Sequence, residues 1–351
     1  MAYRPSICTV SLGRAHAGHS LPHKLDMARK YGFEGIELFY EDLVDFAKTK
    51  DGDESRFSLL SAARAVRELC HDRGLAIICL QPFMHYEGLL DRVQHRKRAD
   101  EMRLWVALVH ELGTDLILLP SSNLPSERMT TDMSVIVDDM AEIAEIGLAT
   151  DPPVRFAFEA LCWGTRIDTW EGSWDIVERV DKPNFGICLD TFNLLGRIYA
   201  DPTSLTGRTP NCDSVVQRSL DGLISTVPPN KVFLLQVADA ELLRQPLNEI
   251  HAFYNPEQPP RMSWSRNARL FYGESQYGAY LPVRAVMEAV IKGIGFTGWL
   301  SFEVFHRRLA DTDEYVPEDM ASRGSESFKK MVSDMGLLEE SKTSGSWRPR
   351  L

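Results

Sequence analysis

Four short apolar runs in the second half of the chain each stop on an oxygen-bearing side chain. Arg155-Phe-Ala-Phe stops on Glu159, Phe185-Gly-Ile-Cys-Leu on Asp190, Val232-Phe-Leu-Leu on Gln236 and Trp299-Leu-Ser-Phe on Glu303. Short apolar runs bounded by turn residues suit strands buried on both faces. An acid or amide at the C-terminal end of four successive buried strands has little structural use. If those strands are parallel and close into a barrel, the four side chains meet at one mouth, where barrel enzymes keep their chemistry. Three carboxylates and one amide make a hard, oxygen-rich nest suited to a single Mg²⁺ or Mn²⁺, with Co²⁺ also acceptable.

The order of the rest of the chain agrees. Ser6–Val10 reads as a first strand, then a helix over Leu21–Tyr31 ends at Gly32. Gly35-Ile-Glu-Leu-Phe39 reads as the second strand, and Asp51–Ser55 as a polar link. Leu59, Ala63, Val66 and Cys70 share one helical face, and Gly74 ends that helix before a third strand over Leu75–Leu80. A long helix over Leu90–Leu112, capped by Gly113, precedes a fourth strand over Leu116–Leu119 that Pro120 stops. Asp132 is placed to cap a helix running to Leu148, and Asp151-Pro-Pro153 prevents its continuation. The fifth to eighth strands end in the acid and amide positions, with helices expected over Trp174–Val180, Ser214–Val227, Leu281–Ile294 and Ser325–Leu337.

This alternation predicts an α/β fold, a (β/α)₈ TIM barrel spanning residues 1–338 as one catalytic domain, with 339–351 as a loose tail. Gly32-Phe-Glu-Gly35 and Gly295-Phe-Thr-Gly298 form a weak repeat, each leading into a strand. An open doubly wound sheet fits less well, because no Gly-x-Gly-x-x-Gly follows any strand. Glu241–Gln276, polar, aromatic and rich in proline, is too long for an ordinary connection. It is expected to be an insertion between strands seven and eight or a lid, with Trp264 and Tyr277 placed to close over the mouth.

Composition narrows the function classes. A net charge of -11 over 351 residues argues against nucleic-acid or anionic-membrane surfaces. No apolar run approaches the roughly 20 residues of a membrane span, and Met1-Ala-Tyr-Arg-Pro lacks the apolar core of a signal peptide. Six scattered cysteines without a Cys-x-x-Cys pair read as reduced core thiols of a cytoplasmic protein. The terminal Pro349-Arg-Leu only loosely matches a peroxisomal tripeptide. Oligomeric state is left open.

Any one strand-end carboxylate has a plain structural use, capping a helix or pairing with arginine; four in register favour the metal reading. Here particular motifs carry a resemblance. Glu159-Ala-Leu-Cys-Trp-Gly164, Leu189-Asp-Thr-Phe-Asn193, Phe302-Glu-Val-Phe305, Gln81-Pro-Phe83 with Glu87-Gly88, Thr9-Val-Ser-Leu-Gly13 and Gly35-Ile-Glu-Leu-Phe39 resemble the xylose-isomerase-like barrel superfamily. Within it they resemble the 3-dehydroshikimate dehydratases of fungal quinate catabolism. The resemblance implies a metal-dependent lyase that converts 3-dehydroshikimate to protocatechuate and water, with ligands falling on Glu159, Asp190, Gln236 and Glu303.

The residues suit that chemistry. Removing the acidic C–H beside a ketone makes an enolate, and loss of the β-hydroxyl followed by tautomerisation gives an aromatic ring. A metal stabilises the developing charge, and a general base and acid move the protons. Many relatives carry a histidine three residues after the sixth-strand aspartate; this chain has Asn193 there, so that base does not carry over. His85 is then the preferred base, with His306 and Glu37 behind it. A carboxylate substrate calls for an arginine fork. Arg269, in a segment that resembles the superfamily's Arg-x-x-Pro-Gly, is the first choice, with Arg197 and Arg307 as alternatives. Gln81 and Asn193 are expected beside the substrate, and Phe83, Phe39, Trp163 and Phe305 around its ring.

Three competing readings fit less well. A sugar isomerase or epimerase on the same barrel would want more hydrogen-bonding groups at the mouth and no aromatic product. An abasic-site endonuclease would need phosphate-binding bases and a histidine-rich metal cluster. A non-catalytic ligand-binding barrel would have no use for a Lewis acid.

Overall fold

The computed structural model describes residues 3–337, so the expected tail lies outside the described residues. Eight parallel strands close into a barrel in the order β1 (Tyr3–Cys8), β2 (Gly35–Phe39), β3 (Ala76–Gln81), β4 (Leu116–Pro120), β5 (Arg155–Glu159), β6 (Phe185–Asp190), β7 (Val232–Val237) and β10 (Gly298–Phe302), which returns to β1. Between β7 and β10 a short antiparallel ribbon joins β8 (Asp239–Ala240) to β9 (Arg269–Leu270).

The α-helices are α1 (Leu21–Lys30), α2 (Tyr40–Asp51), α3 (Arg56–Asp72), α4 (Arg92–Leu112), α5 (Met133–Leu148), α6 (Trp170–Val180), α7 (Thr191–Ile198), α8 (Cys212–Thr226), α9 (Pro260–Ala268), α10 (Val283–Glu288) and α11 (Val316–Asp334). The main apolar core lies between strands and helices. A smaller one fills the barrel from inside, with Ile78, Cys79, Leu116, Leu118, Ala157, Cys188 and Leu234. All six cysteines are free and buried, as expected of core thiols.

Several boundaries differ from expectation for local reasons. The first strand runs over Tyr3–Cys8 instead of reaching Val10, because Thr9 begins a 3₁₀ turn. The Thr9 hydroxyl donates to Asp42 and accepts the Phe39 N–H, which takes the chain out of the sheet. The fourth helix begins at Arg92, where Asp91 accepts the N–H groups of Val93 and Gln94. Asp132 caps α5 as expected, accepting from Ser134. The helix α7 was not foreseen; its N-cap is Asp190 itself, which accepts the Phe192 N–H. The long segment after β7 contains α9 and β9, so it is folded structure laid over the mouth.

The Gly32 and Gly295 repeat has a physical basis: both residues take a left-handed backbone, with φ of +85° and +84°. Gly35 is needed for another reason. A Cβ there would lie 2.8 Å from the Trp299 ring.

Candidate active site

Register brings the strand-end oxygens together. Asp190 sits level with Gln236 across β6 and β7, and Gln236 sits level with Ser301, two residues before Glu303. Oxygens of Glu159, Asp190 and Glu303 all lie within 4.8 Å of one another, and all three residues are buried. Asn193, one helical turn after Asp190, ties two of them: its amide N–H groups donate to Glu159 (2.6 Å) and Asp190 (2.7 Å), while its own oxygen accepts the Cys162 N–H. Arg269, at the start of β9, donates through Nη1 to Asp190 (2.8 Å) and Glu303 (3.1 Å), and through Nε to Ser265 (3.0 Å). The rings of Phe192 and Phe305 flank its guanidinium at 4.2 and 5.1 Å.

A second layer holds this cluster from below. The Gln81 amide donates to Glu303 and to Glu37, at 2.9 Å each. The Gln236 amide N–H donates to Glu37 (2.8 Å), which turns its oxygen the other way, towards the Cys188 thiol at 3.4 Å. Ser301 bonds the other oxygen of Glu37.

The electrostatics follow from packing acids in a dry place. Burial, then the charges of Glu303 and Asp190, holds the Glu159 carboxyl well above the usual range. Burial also raises Glu303, against the pull of Arg269. Glu37 is pushed up to about 8 by burial and by Glu303, against hydrogen bonds from Ser301, Gln236 and Gln81. Among the described residues, the four buried carboxyls of Glu37, Glu159, Asp190 and Glu303 therefore face one fixed positive group, Arg269. Unbalanced buried charge is costly, so the cluster must keep protons or take up a cation. With oxygen donors throughout, the residues fit a hard divalent ion.

The barrel mouth above the cluster holds a cavity of about 430 Å³. Glu159, Glu303, Gln81 and Arg269 contribute to its lining at the acid cluster, with Phe39, Phe305, Trp163 and Met84 beside them. Arg14, Glu41 and Arg266 also border it. A larger cavity of about 570 Å³, lined by Arg67, Asp115, Arg155, Phe233 and Trp299, contains no member of the acid cluster.

The sequence profile of the xylose isomerase-like TIM barrel family matches residues 25–331. The chain belongs to the xylose isomerase-like TIM barrel family. Among relatives, a protein of Neurospora crassa named 3-dehydroshikimate dehydratase is 54% identical over 346 residues, covering 97% of this chain and 96% of that protein. A Pseudomonas aeruginosa protein of the same name is 32% identical over 86% of this chain, which spans 38% of that longer protein. Among solved structures, a xylose isomerase-like TIM barrel/4-hydroxyphenylpyruvate dioxygenase fusion protein is 28% identical with a TM-score of 0.72, over 95% of this chain and 43% of its own.

In this xylose isomerase-like barrel the expected site residues divide. Glu159, Asp190 and Glu303 form the cluster, with Gln236, Gln81 and Asn193 against it. Trp163 lines the mouth, and its indole N–H has no protein partner among the described residues. Phe83 instead packs edge-on against Trp105, outside the mouth lining.

The expected proton carriers stand off the cavity. His85 sits in a neighbouring 220 Å³ pocket with Arg98 and Arg128, its Nδ1 3.3 Å from the Ser122 hydroxyl. Burial and those two arginines lower it to about 4. His306 caps a 3₁₀ turn, its Nδ1 accepting the Arg308 N–H, and burial with Arg307, Arg323 and Arg308 lowers it to about 3. Glu37 lies beneath Gln81 and Gln236, fully buried.

The arginines also differ from expectation. Arg197 pairs with Asp168 and Arg307 with Glu241, neither lining the mouth. Arg269 reaches the site but is engaged by the acids. Trp264 is buried, its indole N–H on the Glu241 carbonyl, and Tyr277 is exposed beneath Arg323, so neither covers the mouth. Sequence reasoning missed Arg14 and Arg266. Arg14 directly follows the Thr9-to-Gly13 motif, a usable signal; Arg266 lies in the long segment without one.

Proposed function

We propose that this chain is a 3-dehydroshikimate dehydratase, a lyase that forms protocatechuate and water through an enolate, and that it depends on a divalent metal. The full-length likeness to the Neurospora crassa dehydratase, 54% identity with 96% of that protein covered, carries the reading. The buried acid cluster beneath an aromatic-walled mouth supports it.

On this reading Glu159, Asp190 and Glu303 would hold the cation, with Gln236 joining them by turning its amide oxygen away from the Cys188 thiol, Mg²⁺ or Mn²⁺ being best suited to the oxygen donors and Co²⁺ acceptable. When bound, it supplies Lewis-acid stabilisation of the charge that develops on the ketone oxygen. Asn193 keeps Glu159 and Asp190 at fixed spacing through its two N–H bonds. Arg269 offsets part of the acid charge and is braced by Ser265 and two rings. Phe39, Phe305 and Trp163 wall the six-membered ring and exclude water from the enolate. The substrate gives up the proton beside its ketone, then its β-hydroxyl leaves as water and the ring aromatises. Among the described residues no histidine lines this cavity, and Glu41 is the lining carboxylate outside the proposed ligand set. Six free buried thiols agree with a reducing, cytoplasmic setting. No helix of the described residues is long and apolar enough to cross a membrane.

The test is incubation with 3-dehydroshikimate while following catechol-type absorbance. Wild-type protein should form the aromatic product, lose that activity to chelator and regain it with Mg²⁺ or Mn²⁺. Glu159→Ala should lose bound metal and turn over about 1,000-fold more slowly. Absence of aromatic product, or chelator-resistant turnover with unchanged metal content in the variant, would contradict the reading.

A further inference from the structure

A carboxylate substrate needs a counter-charge, and the mouth holds three arginines in its lining: Arg14, Arg266 and Arg269. Arg269 is already committed, with Nη1 on Asp190 and Glu303, Nε on Ser265 and rings on both sides. A substrate carboxylate placed there would compete with two buried acids for one guanidinium.

Arg14 and Arg266 are placed differently. Arg266 is exposed, and among the described residues no side chain or carbonyl hydrogen-bonds or ion-pairs with its guanidinium. Arg14 uses one nitrogen, Nη1, on Glu41 (3.2 Å). Its guanidinium carbon lies 5.8 Å from the centre of the Phe39 ring and 5.4 Å from that of Phe305. The same Phe305 ring lies 5.1 Å from Arg269, so one aromatic side chain separates the arginine bound to the acids from Arg14. Partial burial and then the charge of Arg14 lower Arg266 from its usual value; it stays cationic, and an anion between the two guanidiniums would relieve their mutual repulsion. Among the described residues Glu41 is the only acid beside them in the lining outside the cluster, so this part of the mouth carries one net positive charge, enough for one carboxylate.

We propose that Arg14 and Arg266 clamp the carboxylate of the substrate at the outer mouth while Arg269 stays with the acids. The inference rests on the dehydratase reading and deepens it. In 3-dehydroshikimate the carboxylate and the keto-hydroxyl edge lie on opposite sides of a six-membered ring. With that edge held at the acids, the carboxylate points outward, past Phe39 and Phe305, to Arg266 and to the Arg14 nitrogens that Glu41 leaves open. Each guanidinium offers a planar pair of N–H donors, a geometry that lysine lacks. The clamp selects ring acids over neutral polyols of the same size.

Substrate kinetics and inhibitor binding to the metal-loaded enzyme test this together. Arg266→Ala and Arg14→Ala should each raise KM for 3-dehydroshikimate about 10- to 100-fold, with much smaller changes in kcat. Protocatechuate and catechol, which differ by the carboxylate alone, provide a readout independent of turnover. Wild type should bind protocatechuate more tightly. The double variant should lose that preference while catechol affinity moves less than about 2-fold, and Arg266→Lys should restore part of it. Thermal melts of each variant identify any loss of folding, and the unchanged catechol affinity guards against it independently. Wild-type turnover with the acid preference intact in the double variant overturns the clamp alone. Wild-type protein that makes no aromatic product overturns the dehydratase reading and this inference with it.

Discussion

Asn193 shows how much one residue decides in a crowded acid cluster. Its amide supplies two N–H donors to two carboxylates that would otherwise repel, and its oxygen is anchored on the Cys162 backbone. Such supporting partners of a metal ligand set are worth about 10- to 100-fold in affinity. On the proposed metal reading, Asn193→Ala should therefore weaken Mn²⁺ binding by that factor, measured by calorimetric titration. An unchanged dissociation constant in Asn193→Ala would exclude the bracing role. The residue stood out in the sequence because the superfamily resemblance leads one to look for a histidine there. Its bracing function could not be read, since that depends on β5 bringing Glu159 alongside the start of α7. The histidines make the complementary point. His85 and His306 lie close in sequence to the mouth-forming strand ends, yet each is turned into its own arginine-rich pocket.

At the scale of the elements, the barrel depends on close approaches that the strands' ends impose. Gly35 opens β2 where the Trp299 ring of β10 and Ile78 of β3 converge; a methyl group there would sit 2.8 Å from one and 3.1 Å from the other. Gly35→Ala should destabilise the fold by about 1–3 kcal/mol in urea titration. Since the overlap lies at the opposite end of the strand from the acid cluster, KM should change little. A loss below about 0.5 kcal/mol would mean that Trp299 moves aside freely. The strands themselves were legible, because apolar runs closed by turn residues are a local signal. The helices α2, α7 and α9 were not foreseen. The helix α2 begins directly at the end of β2 with no polar linker to announce it, α7 is only eight residues long, and α9 lies inside a proline-rich segment that reads as loop.

The whole molecule responds to pH through the acids it buries. Glu37, Glu159 and Glu303 all hold protons more tightly when folded than the value near 4.5 expected for a free glutamate, with Glu37 reaching about 8. The folded chain thus binds more protons than the unfolded chain above that value, and the metal-free stability contributed by these groups falls as pH rises towards 8. On the proposed metal reading, a divalent cation would bind the ionised cluster and displace those protons, so it would stabilise more as pH rises. Mn²⁺ at about 100 times its dissociation constant adds about 2.7 kcal/mol. Calorimetric melts from pH 5 to pH 8 should show the gap between metal-loaded and metal-free protein widening; a constant or narrowing gap would contradict proton displacement.

The sequence by itself determined the barrel and the identity of the acids, because strand order, apolar runs and their terminal side chains are local properties that survive closure into a ring. Tertiary structure alone decided what each charged group faces. Arg269 was legible as a site residue, yet only the folding of the long segment over the mouth puts its guanidinium against Asp190 and Glu303. The same folding leaves Arg266 without a protein partner among the described residues and brings it beside Arg14, from the other end of the chain. Charge pairing acts through space over a few ångströms, so it follows the packing of distant segments and leaves no periodic trace in the order of residues.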